Sequence, residues 1–160
     1  MKYRLLTSEE LKELEPEFIN FLAANHVTAS DWLQLKTENI QKAERLIEIF
    51  SDIVLEKVLL KIDYLEIREE KNLLIFNFKE EKIILIGIAV KENSTLDLSN
   101  TASIASIALN PERTEEERLT IFKTEKDYQK ARPEEVFKLV QQGGFITDEK
   151  LFTILNSVKS

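Results

Sequence analysis

The chain has 160 residues, of which 43% are hydrophobic and 32% are charged, and its formal net charge is −7. This length predicts one domain over residues 1–160, and the composition excludes a disordered chain, a collagen-like chain and a disulfide scaffold. Because the sequence contains no cysteine and a single histidine, thiolate catalysis, cysteine-based zinc sites and multi-histidine metal sites are excluded as well.

The acidic charge is spread along the whole chain, and no segment of the sequence is basic. The electrostatic pattern of a nucleic-acid-binding protein is therefore missing, and an anionic membrane surface would repel the chain. The longest apolar run, Ile83–Val90, is far shorter than the roughly 20 residues that cross a bilayer. The N-terminus lacks the apolar core of a signal peptide. We therefore expect a cytoplasmic protein with neither nucleic acid nor membrane as a partner.

Two capping boxes predict helix starts in the N-terminal part of the chain. The first lies at Thr7–Glu10 and opens a helix to about residue 24, which Pro16 either kinks or divides in two. The second lies at Thr28–Asp31 and opens a short helix that contains Trp32. Ahead of the first box, the segment at Tyr3 and Arg4 suits either an edge strand or a contact with a partner.

A long helix is predicted over about 39–61, because apolar residues recur there at helical spacing. Its apolar stripe includes Ile53 and Val58. A second stripe appears after Ile53, and a helix that is apolar on two sides lies either in the centre of a domain or at an oligomer interface.

The period of the apolar residues then changes to two, which predicts strands over 64–69, 73–79 and 82–90 in an antiparallel meander. The third of these is apolar on both faces, so we expect it inside the sheet. A further strand is predicted over 119–123. Together with the N-terminal helical layer and the C-terminal helices, a sheet of three to five strands defines an α+β fold.

The C-terminal part is predicted to be helical. Thr124–Asp127 has the pattern of a capping box, Pro133 kinks or restarts the helix that follows, and Gly143 and Gly144 form its C-terminal cap. Thr147 is then expected to cap the last helix. The acidic pair at 134–135 is interpreted as solvated charge or as charge that interacts with a helix dipole.

The segment 91–118 is rich in small and polar residues, and we expect it to be flexible. Its centre carries the apolar side chains Ile104 and Ile107. We therefore predict a mobile arm that becomes ordered on contact with a partner, a second copy or a groove on its own domain.

Several parts of the sequence resemble one family of small bacterial proteins. The residues that carry the resemblance lie at 1–7, 13–15, 18–23, 31–32, 43–48, 50–52 and 64–66, and then at 128–130, 137–139, 143 and 151–152. This family is a domain of unknown function from Bacteroidetes. The resemblance implies no activity, substrate or cofactor, so it transfers no functional residue to this chain.

Candidate binding residues are few. His26 stands near Asp31, and histidine is a residue type that can act as a general base, although an exposed turn histidine has the same pattern. Trp32 is a candidate because tryptophan is enriched at the hot spots of protein interfaces, although a tryptophan here could also belong to the core. Ile104 and Ile107 complete the set, as the contact residues of the arm.

Carboxylates recur every fourth residue on the long helix, at Glu44, Glu48, Asp52 and Glu56. Two helices with such rows can bind hard cations, as in carboxylate-bridged di-metal bundles, but those bundles also need Glu-x-x-His motifs, which this sequence lacks. The row is also typical of a solvated helix face. The sequence favours a non-catalytic interaction or regulatory protein without metal or cofactor, with a protein partner or self-association. The alternative is a carboxylate-based, metal-dependent hydrolase, in which Asp31, Asp52 or Glu56 would bind the metal and His26 would act as the base.

Overall fold

The computed structural model describes residues 1–91, 94–111 and 119–158. Within these residues it has seven helices and one five-stranded antiparallel sheet, with helices at both ends of the chain, so the predicted α+β class is confirmed. The chain divides into two compact units, Met1–Val58 and Leu59–Ser160. The prediction of a single domain over 1–160 stays a prediction.

The first unit is helical. Its elements are α1 (Ser8–Glu13), α2 (Glu15–Ala24), α3 (Ala29–Glu38) and α4 (Ile40–Leu60), whose last two residues belong to the second unit. Both predicted capping boxes are present, at Thr7 and Thr28. Pro16 lies in the first turn of α2, where its missing amide costs nothing, so the chain forms two short helices and not one kinked helix.

The buried side of α4 changes along the helix. Ala43, Leu46 and Phe50 of the apolar stripe are buried, whereas Ile53 and Val58 of the same stripe are 41% and 47% exposed, so the stripe does not lie wholly in the core. The buried side shifts at Ser51, which is fully buried and whose Oγ accepts a hydrogen bond from the Leu6 amide at 3.0 Å. The chain ahead of α1 therefore covers this side of the helix.

The segment ahead of α1 is held by the carboxylate of Asp52. The amides of Lys2 and Tyr3 donate to its two oxygens at 2.8 and 3.1 Å. Lys2 Nζ also pairs with Glu56 at 3.2 Å. This segment is not a strand, so the edge-strand alternative was wrong.

Glu10 makes the start of α1 sensitive to pH. Hydrogen bonds from the Arg4 guanidinium, and then from the Thr7 amide, lower the pKa of Glu10 from 4.5 to about 2. A lowered pKa in the folded state stabilises the protein above the unfolded pKa, and this stabilisation is lost as the pH falls through the folded pKa. We expect Glu10→Gln to cost less than about 1 kcal/mol at pH 7, because the pair is exposed.

Chemical unfolding of the native chain and of Glu10→Gln between pH 6 and pH 2 measures this effect. The difference in unfolding free energy should be constant above the unfolded pKa of about 4.3 and should vanish towards pH 2. A difference that did not change over this range would contradict the assignment.

The sheet belongs to the second unit. Its strands are β1 (Tyr64–Arg68), β2 (Asn72–Phe78), β3 (Lys82–Val90), β4 (Leu119–Asp127) and β5 (Phe145–Ile146), in the spatial order β4-β3-β2-β1-β5. The first three strands lie within a residue or two of their predicted bounds, and β3 lies inside the sheet as predicted. The two edges of the sheet are therefore β4 and β5.

Three helices complete the second unit: α5 (Thr101–Leu109), α6 (Arg132–Gln141) and α7 (Glu149–Ser157). One face of the sheet packs against α5 and α7. The buried residues of this core are Leu73, Ile75, Ile84, Ile86, Ile88, Val90, Leu98, Ile104, Ile107, Leu119, Leu151, Phe152 and Leu155. In the segment 91–118, residues 92–93 and 112–118 lie outside the described part, and the mobility of the arm stays a prediction.

A buried ion pair lies on this same face, at the end of the sheet next to β5. Glu66 is 1% exposed, and its Oε1 accepts a hydrogen bond from Arg68 Nε at 2.7 Å. The Arg68 guanidinium lies 5.1 Å from the ring centroid of Phe145 on β5, and its Nη1 donates to Thr101 Oγ1 on α5 at 3.4 Å. The pair therefore connects β1 with β5 and α5.

The chain after residue 123 differs most from the prediction. Residues 124–127 continue β4 through pairing with β3, and the helix begins only at Arg132, so the capping box at Thr124 was wrong. Glu135 is 4% exposed and not solvated, because its Oε1 accepts hydrogen bonds from the amides of Gln129 and Lys130 at 3.1 and 3.2 Å. It closes the turn between β4 and α6.

The end of α6 follows the prediction, whereas the start of α7 lies one residue later. Gly143 has φ +100°, and the amide of Gly144 donates to the carbonyl of Leu139 at 2.9 Å. This left-handed cap ends the helix and leads directly into β5. Asp148, and not Thr147, caps α7 by accepting from the Lys150 amide at 3.0 Å.

Candidate functional site

Two of the predicted binding residues line one groove in the first unit. His26 occupies the turn after α2 with φ +60°, and Asp31 lies in the first turn of α3. The groove has a volume of about 320 Å³, and its other lining residues are Val27, Gln34, Leu35, Glu38, Asn39 and Lys42. The structure thus brings His26 and Asp31 together in one polar depression.

Asp31 has a structural task in this groove. Its carboxylate accepts a hydrogen bond from the Thr28 amide at 3.0 Å, and this bond lowers the pKa of Asp31. A carboxylate that is held ionised as a helix cap is a poor proton acceptor. Within the described residues, no group of three or more His, Cys, Asp or Glu side chains is arranged to bind a metal ion.

Trp32 is half-buried in the aromatic cluster of the first unit. Its ring meets the ring of Phe18 edge-on, with centroids 5.1 Å apart, and Lys36 Nζ lies 5.9 Å from its centroid. Phe18 in turn contacts Phe50 of α4. These contacts indicate that the Trp32 side chain covers the aromatic core of the first unit.

Ile104 and Ile107 lie in the second unit, where each is 5% exposed. Both belong to the core between α5, α7 and the sheet. The arm was expected to dock on a partner, a second copy or its own domain, and the structure shows α5 packed against its own unit. A contact of these two residues with a partner stays a prediction.

Three of the four carboxylates in the α4 row make hydrogen bonds or ion pairs within the first unit. Asp52 and Glu56 hold the N-terminal segment, and Glu48 pairs with Arg45 at 3.0 Å. The ligands of the hydrolase alternative are therefore engaged in a helix cap and in contacts with the first residues of the chain.

The second unit offers a different surface at the edge strand β4. Within the described residues, β4 pairs along its whole length with β3 and with no strand on its other side. From Phe122 to Asp127 the side chains of β4 are exposed. An edge of this kind presents unpaired amides and carbonyls to an incoming strand.

The ladder shows which backbone groups of β4 point outward. The amide of Val90 donates to the carbonyl of Lys71 at 2.9 Å. In an antiparallel ladder the bonded pairs alternate, so the even-numbered residues of β3 bond to β2 and the odd-numbered ones bond to β4. Since Gly87 pairs with Phe122, the even-numbered residues of β4 bond to β3. The outward groups belong to Leu119, Ile121, Lys123, Glu125 and Asp127.

Charge is confined to one half of this edge. Residues 123–127 carry two lysines, a glutamate and an aspartate, whereas residues 119–122 carry no charge. Charged side chains on an edge strand discourage the addition of another strand. The half of β4 that contains Ile121 lacks this protection.

An apolar groove lies beside the unprotected half. Its volume is about 460 Å³, and it is lined by Ile121 of β4, Ile86 of β3, Leu155 and Val158 of the α7 end, with Lys123, Asn156 and Phe122 completing the lining. Lys123 Nζ donates to Asn156 Oδ1 at 2.8 Å. The groove therefore has aliphatic side chains at its floor, polar groups in its wall and an ammonium group at its rim.

The opposite face of β4 is filled at the same level. Gly87 pairs with Phe122, whose ring lies over the glycine so closely that a Cβ there would stand 2.0 Å from Phe122 Cζ. Glycine is needed at this position because the aromatic ring occupies the space of a side chain. Free volume next to the edge is thus found on the α7 side.

The sequence predicts a strand only over 119–123, and it does not show that this strand lies at the edge of the sheet. The sequence does contain a strand signal, because apolar Leu119 and Ile121 alternate with polar Thr120. The helix-like Thr124–Asp127 pattern outweighed it. In the structure Glu125 forms an ion pair with Lys82 of β3 at 2.9 Å, and such a cross-strand partner is not visible in a single segment.

In the part of the chain that the structure describes, the fold defines a small α+β protein whose strand β4 has an unpaired outer edge. The whole chain, residues 1–160, matches a family of unknown function, DUF6495, and the protein belongs to this family. No curated protein and no solved structure matches the chain. Within the described residues, no helix combines the length and the apolar character needed to cross a membrane.

Proposed function

We propose that the protein is a non-catalytic interaction protein that binds an extended segment of another protein at the outer edge of β4. The observation that carries the proposal is the row of outward backbone groups on a nine-residue strand that, in the described part of the chain, has no strand on its outer side. Strand addition of this kind derives affinity from main-chain hydrogen bonds and specificity from pockets for alternate side chains.

A second copy of the chain is a poorer occupant than a segment of a different protein. In an antiparallel self-pairing, the register that sets Lys123 opposite Glu125 also sets Asp127 opposite Ile121, which brings a carboxylate to the apolar groove. The registers centred on Lys123 or on Glu125 set like charges opposite each other, which destabilises a sheet. A register centred on Ile121 leaves Lys123 opposite Leu119.

The test uses random peptides displayed on phage and selected on the immobilised full chain. Selected peptides are synthesised, and their Kd is measured for the native protein, Lys123→Thr and Lys123→Pro. Both variants lose the ammonium, but only proline removes the outward amide, and it leaves the ladder with β3 intact. We expect Lys123→Pro to bind about tenfold more weakly than Lys123→Thr, since one main-chain bond is lost and the ring hinders pairing.

Three results would overturn the proposal. The first is a selection that yields no binding peptide, and the second is an equal Kd for Lys123→Pro and Lys123→Thr. The third is an NMR experiment in which peptide binding changes the amide chemical shifts of residues away from β4 and not those of β4. A stable dimer whose β4 amides are protected from exchange would show that a second copy is the occupant instead. Unfolding curves of both variants serve as the control for folding.

A further inference from the structure

The groove between β4 and α7 indicates what the bound segment looks like, provided that the segment adds to β4 as proposed above. Residues that lie directly opposite each other in a sheet point to the same face. An added residue beside Ile121 on the α7 face would therefore direct its side chain towards the groove, and the residue beside Lys123 would direct its side chain towards the rim. These two positions of the added strand are two residues apart.

The interior of the groove favours an apolar side chain. Ile121 and Val158 are half-buried and supply the apolar surface that a ligand could cover, whereas Ile86 and Leu155 beneath them are only 1% exposed. The volume of about 460 Å³ exceeds that of one large aliphatic side chain, and the Phe122 ring closes the corresponding space on the opposite face. Burial of an aliphatic side chain here would remove apolar surface of both molecules from water.

The rim favours a carboxylate. Lys123 donates one hydrogen bond to a neutral amide oxygen, that of Asn156, and an ammonium has three donors. Glu125, the nearest acidic residue on the same face of β4, forms its ion pair with Lys82, and the charge of Lys123 contributes less than Lys82 to the lowered pKa of Glu125. Within the described residues, no carboxylate lies within ion-pair distance of Lys123. The rim is thus a positive site in a chain whose net charge is −7.

We infer that the groove between β4 and α7 is a specificity site for an extended peptide with a large aliphatic residue and an acidic residue two positions away. The aliphatic side chain enters the groove beside Ile121, and the carboxylate binds Lys123. This juxtaposition of an open strand edge, an apolar groove and a lysine at its rim carries the inference.

The peptides selected on the full chain test the inference directly. Their sequences should share an aliphatic residue and an Asp or Glu at a spacing of two. Replacement of the aliphatic residue by alanine should weaken binding about tenfold. Replacement of Asp by Asn, or of Glu by Gln, should weaken binding to the native protein about threefold at low salt.

Variants of the protein complete the experiment. The carboxylate-to-amide change in the peptide should have no effect on binding to Lys123→Thr, and it should keep its effect on Lys126→Thr, because Lys126 points to the opposite face of β4. Val158→Trp should fill the groove and weaken the binding of the aliphatic peptide about tenfold.

The outcomes separate the two proposals. Selected peptides without this spacing, or a carboxylate effect that survives in Lys123→Thr, would overturn the inference about the groove. If Lys123→Pro still bound more weakly than Lys123→Thr in that case, strand addition at β4 would stand. If the two variants bound equally, the proposed function itself would fail.

Discussion

Arg68→Ala should destabilise the second unit by about 3–5 kcal/mol, because it leaves the buried carboxylate of Glu66 without its partner. Glu66 is 1% exposed, and the Arg68 guanidinium stands 2.7 Å from it. Removal of one member of a buried ion pair is costly, since the remaining charge cannot recover its hydration. The loss of the contact between Arg68 and Phe145 adds to the effect.

Chemical unfolding of three variants compares the loss of one charge of the pair with the loss of both. The double variant Glu66→Leu with Arg68→Leu removes both charges, and we expect its stability to lie close to that of the native protein. Arg45→Ala is the control, because that side chain is 63% exposed in its ion pair with Glu48 and should contribute less than about 1 kcal/mol. If Arg68→Ala were no more destabilising than Arg45→Ala, the buried pair would have no structural role.

Arg132→Ala should cost about 3 kcal/mol, because one guanidinium satisfies several groups at the same end of the sheet. Arg132 Nη1 donates to the carbonyl of Leu60 at 3.0 Å. Nη2 lies 3.0 Å from the carbonyl of Ile62, 2.9 Å from Asp63 Oδ1 and 3.1 Å from the carbonyl of Phe78. The first turn of α6 is thereby connected to the end of α4, to the start of β1 and to the end of β2.

The conservative variant Arg132→Lys distinguishes charge from geometry. An ammonium keeps the charge but lacks the planar fork, so we expect lysine to restore less than half of the lost unfolding free energy. Complete recovery in Arg132→Lys would mean that the charge alone stabilises this junction. The melting temperature and the unfolding free energy of both variants are the measurements.

Local signals in the sequence predicted the elements that depend on local interactions. The boxes at Thr7 and Thr28 cap helices, as the residue types at these positions indicate. The period of two over 64–90 predicted the three strands of the meander, because half-buried strands alternate apolar and polar side chains. The chain reversal at Gly143 also follows from residue type, since glycine accepts a positive φ without strain.

Interactions between distant parts of the chain could not be predicted in this way. Arg132 reaches carbonyls that lie 54 to 72 residues earlier in the sequence, and no pattern near residue 132 identifies them. Glu135 has the appearance of a helix-dipole residue, but the turn after β4 folds back onto it. The burial of Glu66 depends on the register of β1 with β5 and on the position of α5.

The same limit explains why the candidate site was found only in part. The edge of β4 is defined by the strand order, which a single sequence does not contain. The groove needs residues from β3, β4 and α7, whose positions in the sequence are far apart. His26 and Asp31, in contrast, are close together in the sequence, and both line one groove in the structure.

The position of β5 has a consequence for the synthesis of the protein. β5 consists of Phe145 and Ile146 and pairs with Leu65 and Glu66, which leave the ribosome much earlier. The three strands β1, β2 and β3 can pair through short connections as soon as they emerge. Until residues 145–146 have been translated, however, β1 has no neighbour on its other side. The nascent chain therefore presents a second open strand edge, which the finished protein covers, and during this interval it is exposed to pairing with other nascent chains.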